Sequence, residues 1–146
     1  MDFMELNMRE IKFRAWHIID KKYIYFDFTN IYGYEGEVCG VVLPNNENLL
    51  NYNSGFGING INKDLLIEQF TGLHDKNGKE IYEGDICRVD DGENLYEIIF
   101  YMGGFMGAVL PRKIRIYHIS DSLLNNIEVI GNIHENKNLL DINLEF

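Results

Sequence analysis

The sequence predicts a mainly β protein: a strongly bent antiparallel sheet or a small SH3-like barrel, with an N-terminal hairpin, a long irregular loop and little helix. A β-rich α+β arrangement is the variant of this reading. Three observations carry it. Aromatics make up 13% of the 146 residues, and such side chains pack well on a pleated surface. Short runs of alternating residues recur along the chain, each bounded by Gly, Asn or Asp turn chemistry. Residues 69–89, QFTGLHDKNGKEIYEGDICRV, contain Asn77-Gly78, the strongest short hairpin signal, because both turn residues accept positive φ at low cost.

Taken in order, residues 1–7 read as an extension, and Met8 opens the run MREIKFRAW, so a single domain is expected over 8–146. Between 10 and 16, Ile11, Phe13 and Ala15 alternate with Lys12, Arg14 and Trp16, which predicts a strand. After a turn at Asp20-Lys21-Lys22, Ile24, Phe26 and Phe28 alternate with Tyr23, Tyr25 and Asp27 and complete a hairpin. Residues 31–63 are the least regular. Only 38–43 reads as a strand there, and loop is expected from Pro44 to about Asn62. A loop of that length is usually functional or mobile. Its aromatics Tyr52 and Phe56 are candidates for contact with a ligand or partner, unless they simply pin the loop to the core.

The apolar run 65–70 is the next strand. It leads through Asn77-Gly78 to a second tight turn at Glu83-Gly84-Asp85, a strand at 86–89, a hairpin turn over 90–94 and a strand at 95–102. Gly103-Gly104 interrupts that strand before it resumes over 105–110, and Pro111 ends it. From 113 to 119, Lys113, Arg115 and Tyr117 alternate with Ile114, Ile116 and His118. Residues 120–124 can form a single capped helical turn. The last strand spans 127–133, where Gly131 suggests a bulge. The apolar tail, with Leu139, Leu140, Ile142, Leu144 and Phe146, either packs back on the domain or meets another subunit.

The charge and motif inventory argues against most chemistry. The formal net charge is −10, from 13 basic and 23 acidic residues. Such a surface repels phosphate backbones, so direct nucleic-acid binding is not expected. No apolar run approaches the ~20 residues of a membrane helix, and MDFMELNMRE has no basic start followed by an apolar segment. The expected location is the cytoplasm. Cys39 and Cys87 share no spacing that marks a disulfide or zinc site. His17, His74, His118 and His134 are widely separated, so a metal site would have to be assembled by the fold alone. Neither a GxSxG elbow nor a phosphate loop is present. Glu80, Glu83 and Asp85 cluster, but turn geometry accounts for them, and Asp85 is placed to bond local backbone amides. The reading assigns no catalytic residue, metal or cofactor and favours binding over catalysis.

Three segments, MREIKFRAW at 8–16, QFTGLHDKNGKEIYEGDI at 69–86 and EVIGNIHENKNLL at 128–140, resemble the YopX family of small phage and prophage proteins, in order and across nearly the whole chain from Met8. Residues 31–63 carry no family motif. The resemblance implies a phage or prophage origin, residence in the bacterial host cytoplasm, a mostly β fold, homo-oligomerisation and an accessory role without an established enzymatic activity. It supplies no catalytic residues.

Two strand faces combine cations with aromatics: Arg14 with Trp16, and Lys113 with Arg115 and Tyr117. A nucleotide-sized anion needs that combination, charge-assisted bonds for phosphate and a flat surface for the base. The functional expectation is a counter-defence protein that sequesters a nucleotide-derived host immune signal in pockets between subunits. The alternative is an acidic, DNA-mimic-like module that inhibits a basic or nucleic-acid-binding host protein, although the carboxylates are spread along the chain.

Overall fold

The computed structural model describes residues 10–34, 37–53, 57–90, 92–119 and 121–141. The protein is mainly β, and its strands pair antiparallel in open sheets. No barrel forms: the two edge strands of the largest sheet are not hydrogen-bonded to each other. The chain divides into two compact units, Met1–Gln69 and Phe70–Phe146, within the stretch that the sequence presents as one domain.

In the first unit, β1 (Lys12–His17) lies between β2 (Lys22–Asp27) and the opening half of β7 (Leu65–His74). The predicted N-terminal hairpin is β1–β2, with Lys21 at φ 52° in its turn. Cross-strand partners set the register. Ala15 faces Ile24, and Phe13 faces Phe26, with their rings stacked at 5.5 Å. Ala15, Ile24 and Phe26 join Val41, Leu43, Leu49 and Leu65 in one core. The other face of β1 is covered as well: Arg14 is 4% exposed and Trp16 8%. A central strand has little open face to offer, which the alternation alone could not reveal.

The stretch from 31 to 62 is more ordered than expected. β3 (Ile31–Tyr34) pairs with β4 (Glu37–Val41), and β5 (Leu50–Asn53) pairs with β6 (Gly57–Ile61). The expectation of loop from Pro44 to Asn62 is therefore corrected to a two-stranded ribbon preceded by a short irregular segment. Buried Leu43 and Leu49 anchor that segment, and it is closed by Leu43 N donating to Glu47 O at 2.9 Å. Asparagine and glycine mask strand propensity here, while the backbone groups still find partners in each other.

The second unit holds the end of β7, β8 (Glu80–Tyr82), and a five-stranded sheet in the order β12-β11-β10-β9-β13. Its members are β9 (Asp85–Val89), β10 (Leu95–Tyr101), β11 (Gly104–Val109), β12 (Ile116–His118) and β13 (Ile127–Asn132), with one helical turn, α1 (Asp121–Leu124), before β13. The break at Gly103 is a hairpin turn: Met102 and Gly103 both have positive φ, 52° and 81°. The strand expected over 113–119 shrinks to β12, because Lys113 at φ 57° leaves the extended conformation. Register slips at Gly131 as predicted. A Cβ there would lie 2.6 Å from Asn136 Oδ1, the atom that accepts from Asn132 N. Leu139 and Leu140 pack against a core of Ile86, Leu95 and Leu110, so the described part of the tail folds back; residues 142–146 lie outside the described residues.

The turn chemistry of residues 75–85 builds this unit. Gly78 and Gly84 both have φ 82°. Asp85 is buried, and its carboxylate accepts from Tyr82 N at 2.8 Å. Asp75 does more. Its Oδ1 accepts from Asn77 N and Lys79 N, both at 2.9 Å, and its Oδ2 accepts from Val129 N of β13 at 3.0 Å. Burial pushes the Asp75 carboxyl up, but these three amides and the Lys79 charge outweigh it and hold the group below its ordinary range. Its contribution is therefore complete above the unfolded carboxylate range and is lost as pH falls through the lower folded value.

Asp75→Asn should cost about 2 kcal/mol at neutral pH, the scale of charge-assisted hydrogen bonds to a buried group. Urea melts at pH 7 and pH 3 should show the gap between the two proteins closing in acid; a gap independent of pH would rule out the carboxylate's role.

Candidate ligand-binding site

The sequence-nominated residues are placed unequally. Arg14 and Trp16 share a face, but that face is committed internally. Arg14 Nε lies 2.8 Å from Glu68 Oε1, with side-chain exposures of 5% and 8%. The Arg14 guanidinium sits 4.1 Å over the Tyr23 ring, and Trp16 meets the same ring edge-on at 5.0 Å. A buried charge pair with a cation–π contact is a structural core element. Tyr52 lies on β5 within the register of that ribbon, and its side chain lies outside what is described. Phe56 lies outside the described residues.

The other nominated group is divided. Lys113 Nζ pairs with buried Glu97 Oε1 at 2.8 Å, so it does not stay with Arg115 and Tyr117. Those two remain on the exposed surface. Tyr117 lines a cavity of about 280 Å³ within the second unit. Buried Ile98 and Ile127 form its floor, and Tyr96, Tyr117, His118 and Leu123 join Gly107 in its lining; the Tyr96 ring packs over Gly107, 3.5 Å from where a Cβ would sit. Register explains the grouping: Gly107 pairs with Ile98 on one side and Tyr117 on the other, so the three form one row across β10, β11 and β12. Tyr96 and Tyr117 stand 6.5 Å apart at 74°. The volume sits at the low end for small-molecule sites and suits a single flat ring system. Tyr96, Gly107 and His118 were not singled out from the sequence. The available signal was a glycine inside a strand run, which often marks close approach of a ligand or backbone.

A second cavity of about 340 Å³ adjoins the same hairpin and is lined by Val109, Leu110, Pro111, Arg112, Ile114 and Arg115. Val109 N donates to Arg115 O at 2.9 Å, which holds Arg115 in register ahead of β12.

Among the described residues, one cluster has metal-ligating chemistry: His17, Asp20 and Glu47 in the first unit. Hydrogen bonding accounts for it. Asp20 N donates to His17 Nδ1 at 3.0 Å, so Nε2 carries the proton and donates to Glu47, whose two oxygens both lie at 3.0 Å. A cation at Nε2 would need the lone pair that this tautomer uses for its proton. The cluster ties the β1–β2 turn to the segment before β5. Among the described residues, no helix is long and apolar enough to cross a membrane.

Arg14→Ala should destabilise the protein by about 3–5 kcal/mol, because the buried Glu68 carboxylate would lose the guanidinium that compensates its charge. A denaturant melt measures this, and a loss below about 1 kcal/mol would return Arg14 to the list of groups available for a ligand.

The YopX protein family model matches residues 12–141. No curated protein sequence matches the chain. Among solved structures, protein EF1440 from Enterococcus faecalis is 26% identical with a TM-score of 0.59, covering 91% of this chain and 99% of that one. Protein yopX from Bacillus subtilis is 18% identical with a TM-score of 0.51, covering 91% and 97%, a likeness of fold alone. The match spans far more than half of the sequence, includes the turn at Asn77-Gly78 and reaches the described end of the tail: the chain belongs to the YopX protein family.

Proposed function

We propose that this protein acts by binding rather than catalysis, and that its ligand is a flat, anionic, nucleotide-like small molecule. The cleft lined by Tyr96, Gly107 and Tyr117 carries the reading. Its floor is apolar, its upright walls are aromatic, and Arg115 lies two residues before Tyr117 on the same chain segment. Aromatic walls supply stacking for any base, and a guanidinium beside them supplies charge-assisted bonds for phosphate. His118 is the single imidazole or carboxylate on the described lining, so the cleft lacks the paired acid and base of proton-transfer catalysis.

In a phage or prophage setting, the role that fits is removal of a nucleotide-derived signal from the bacterial host's cytoplasm, with the protein as a homo-oligomer. The net charge of −10 keeps an acidic protein-interaction role as the competing reading.

A thermal-shift and calorimetric panel of mono-, di- and cyclic nucleotides tests the proposal. Binding should weaken about 10- to 100-fold in Tyr117→Ala, the scale of losing one stacking partner. Gly107→Val should fill the cleft and abolish binding while the protein stays folded, since a Cβ there meets the Tyr96 ring at 3.5 Å, an ordinary contact. A wild-type protein that binds no member of the panel, or a Gly107→Val protein that binds as well as wild type, rejects the reading.

A further inference from the structure

We propose that Asn77 is a site of spontaneous deamidation, that Asp75 holds the reaction back, and that the isoaspartate product loosens β13 from the turn. This site does not depend on what the cleft binds.

An asparagine followed by glycine is the pair most open to this chemistry, because no side chain on the second residue hinders its nitrogen. The Gly78 nitrogen gives up its proton and bonds to Asn77 Cγ, and ammonia leaves. Water then opens the resulting cyclic imide. Addition at Cγ gives aspartate. Addition at the main-chain carbonyl of residue 77 gives isoaspartate, in which the backbone runs through the former side chain and is one methylene longer. Water is the only co-reactant, and no electrons change hands.

The turn leaves the reacting pair uncovered. Asn77 and Gly78 are exposed. Among the described residues, a Cβ on Gly78 would meet no atom within 4 Å beyond its chain neighbours. What restrains the pair is hydrogen bonding. Three successive amides end on Asp75: Asn77 N and Lys79 N donate to its Oδ1, both at 2.9 Å, and Gly78 N donates to its main-chain oxygen at 3.0 Å. Asp75 N in turn donates to Lys79 O at 2.7 Å. The attacking nitrogen is the middle member of that set, so it reaches Cγ only when the turn opens. Local opening of this kind, short of global unfolding, then sets the rate.

The same residue carries the consequence. Asp75 Oδ2 accepts from Val129 N at 3.0 Å, and Lys76 N donates to Ile127 O at 2.9 Å. An extra methylene between Asn77 and Gly78 displaces the Gly78 and Lys79 amides from Asp75. The carboxylate loses the donors that fix its position, and its hold on Val129 weakens. The aspartate product is benign, since Asp-Gly suits the same tight turns as Asn-Gly. Only the lengthened backbone undoes the junction beneath Ile127, and it does so irreversibly.

The test is peptide-resolved mass spectrometry of the full chain held in mildly alkaline buffer, which separates Asn77 from the other Asn-Gly step, Asn59-Gly60. Asn77 should convert about tenfold more slowly in the folded protein than in urea, the scale of breaking a few turn hydrogen bonds. Asp75→Asn should bring the folded rate toward that in urea while leaving Asn59 unchanged. The isoaspartate form of the wild-type protein, separated from the intact form, should lose hydrogen-exchange protection at the Val129 amide. Asn77→Asp should keep that protection. Equal rates at Asn77 in folded and unfolded wild-type protein, or an Asp75→Asn rate no faster than wild type, overturns the restraint by Asp75. An isoaspartate form that still protects Val129, or an Asn77→Asp protein that does not, overturns the loosening of β13.

Discussion

The Asp75 carboxylate joins two parts of the second unit that are far apart in sequence. With Oδ1 it holds the amides of the Asn77-Gly78 turn, and with Oδ2 it holds Val129 of β13. Lys76 N donating to Ile127 O reinforces the same junction. A turn and a distant strand are thus fixed by one small side chain with few rotamers, which costs little entropy to order. β13 in turn closes one edge of the five-stranded sheet and supplies Ile127 and Val129 to the core beneath the cleft. Without that junction the cleft would lose part of its floor.

The two units treat charge differently. In the first, Arg14, Glu68, His17 and Glu47 are paired with one another inside or at the rim of the packing. Buried ions of this sort specify one arrangement and are costly to separate. In the second, Lys113 offsets Glu97, and the neighbouring arginines remain uncompensated at the surface. Uncompensated cations on a chain of net charge −10 are the less common use of a basic residue, and they stand beside the aromatic walls. The binding proposal rests on this coincidence of position.

Much of the fold was legible. The β1–β2 hairpin, the Asn77-Gly78 and Glu83-Gly84-Asp85 turns, the bulge at Gly131 and the short helical turn all follow from residues close in sequence, because turn geometry and alternation are local. The ribbon of β5 and β6 was not legible, since asparagine and glycine carry no strand signature. The candidate site was half legible. Arg115 and Tyr117 were visible as a cation and an aromatic at i and i+2. Gly107 and Tyr96 were invisible, because a cavity is defined by what neighbouring strands leave unfilled.

The sequence by itself determined the family, the β class, the turns and the acidic character, since each depends on residue type and near neighbours. Only the tertiary structure decided which cations are spent and which are available. Arg14 and Arg115 look alike along the chain, each two residues before an aromatic. One lies on a central strand opposite Glu68, and the other precedes an edge strand. Burial and ion pairing are set by strand order, which alternation does not encode.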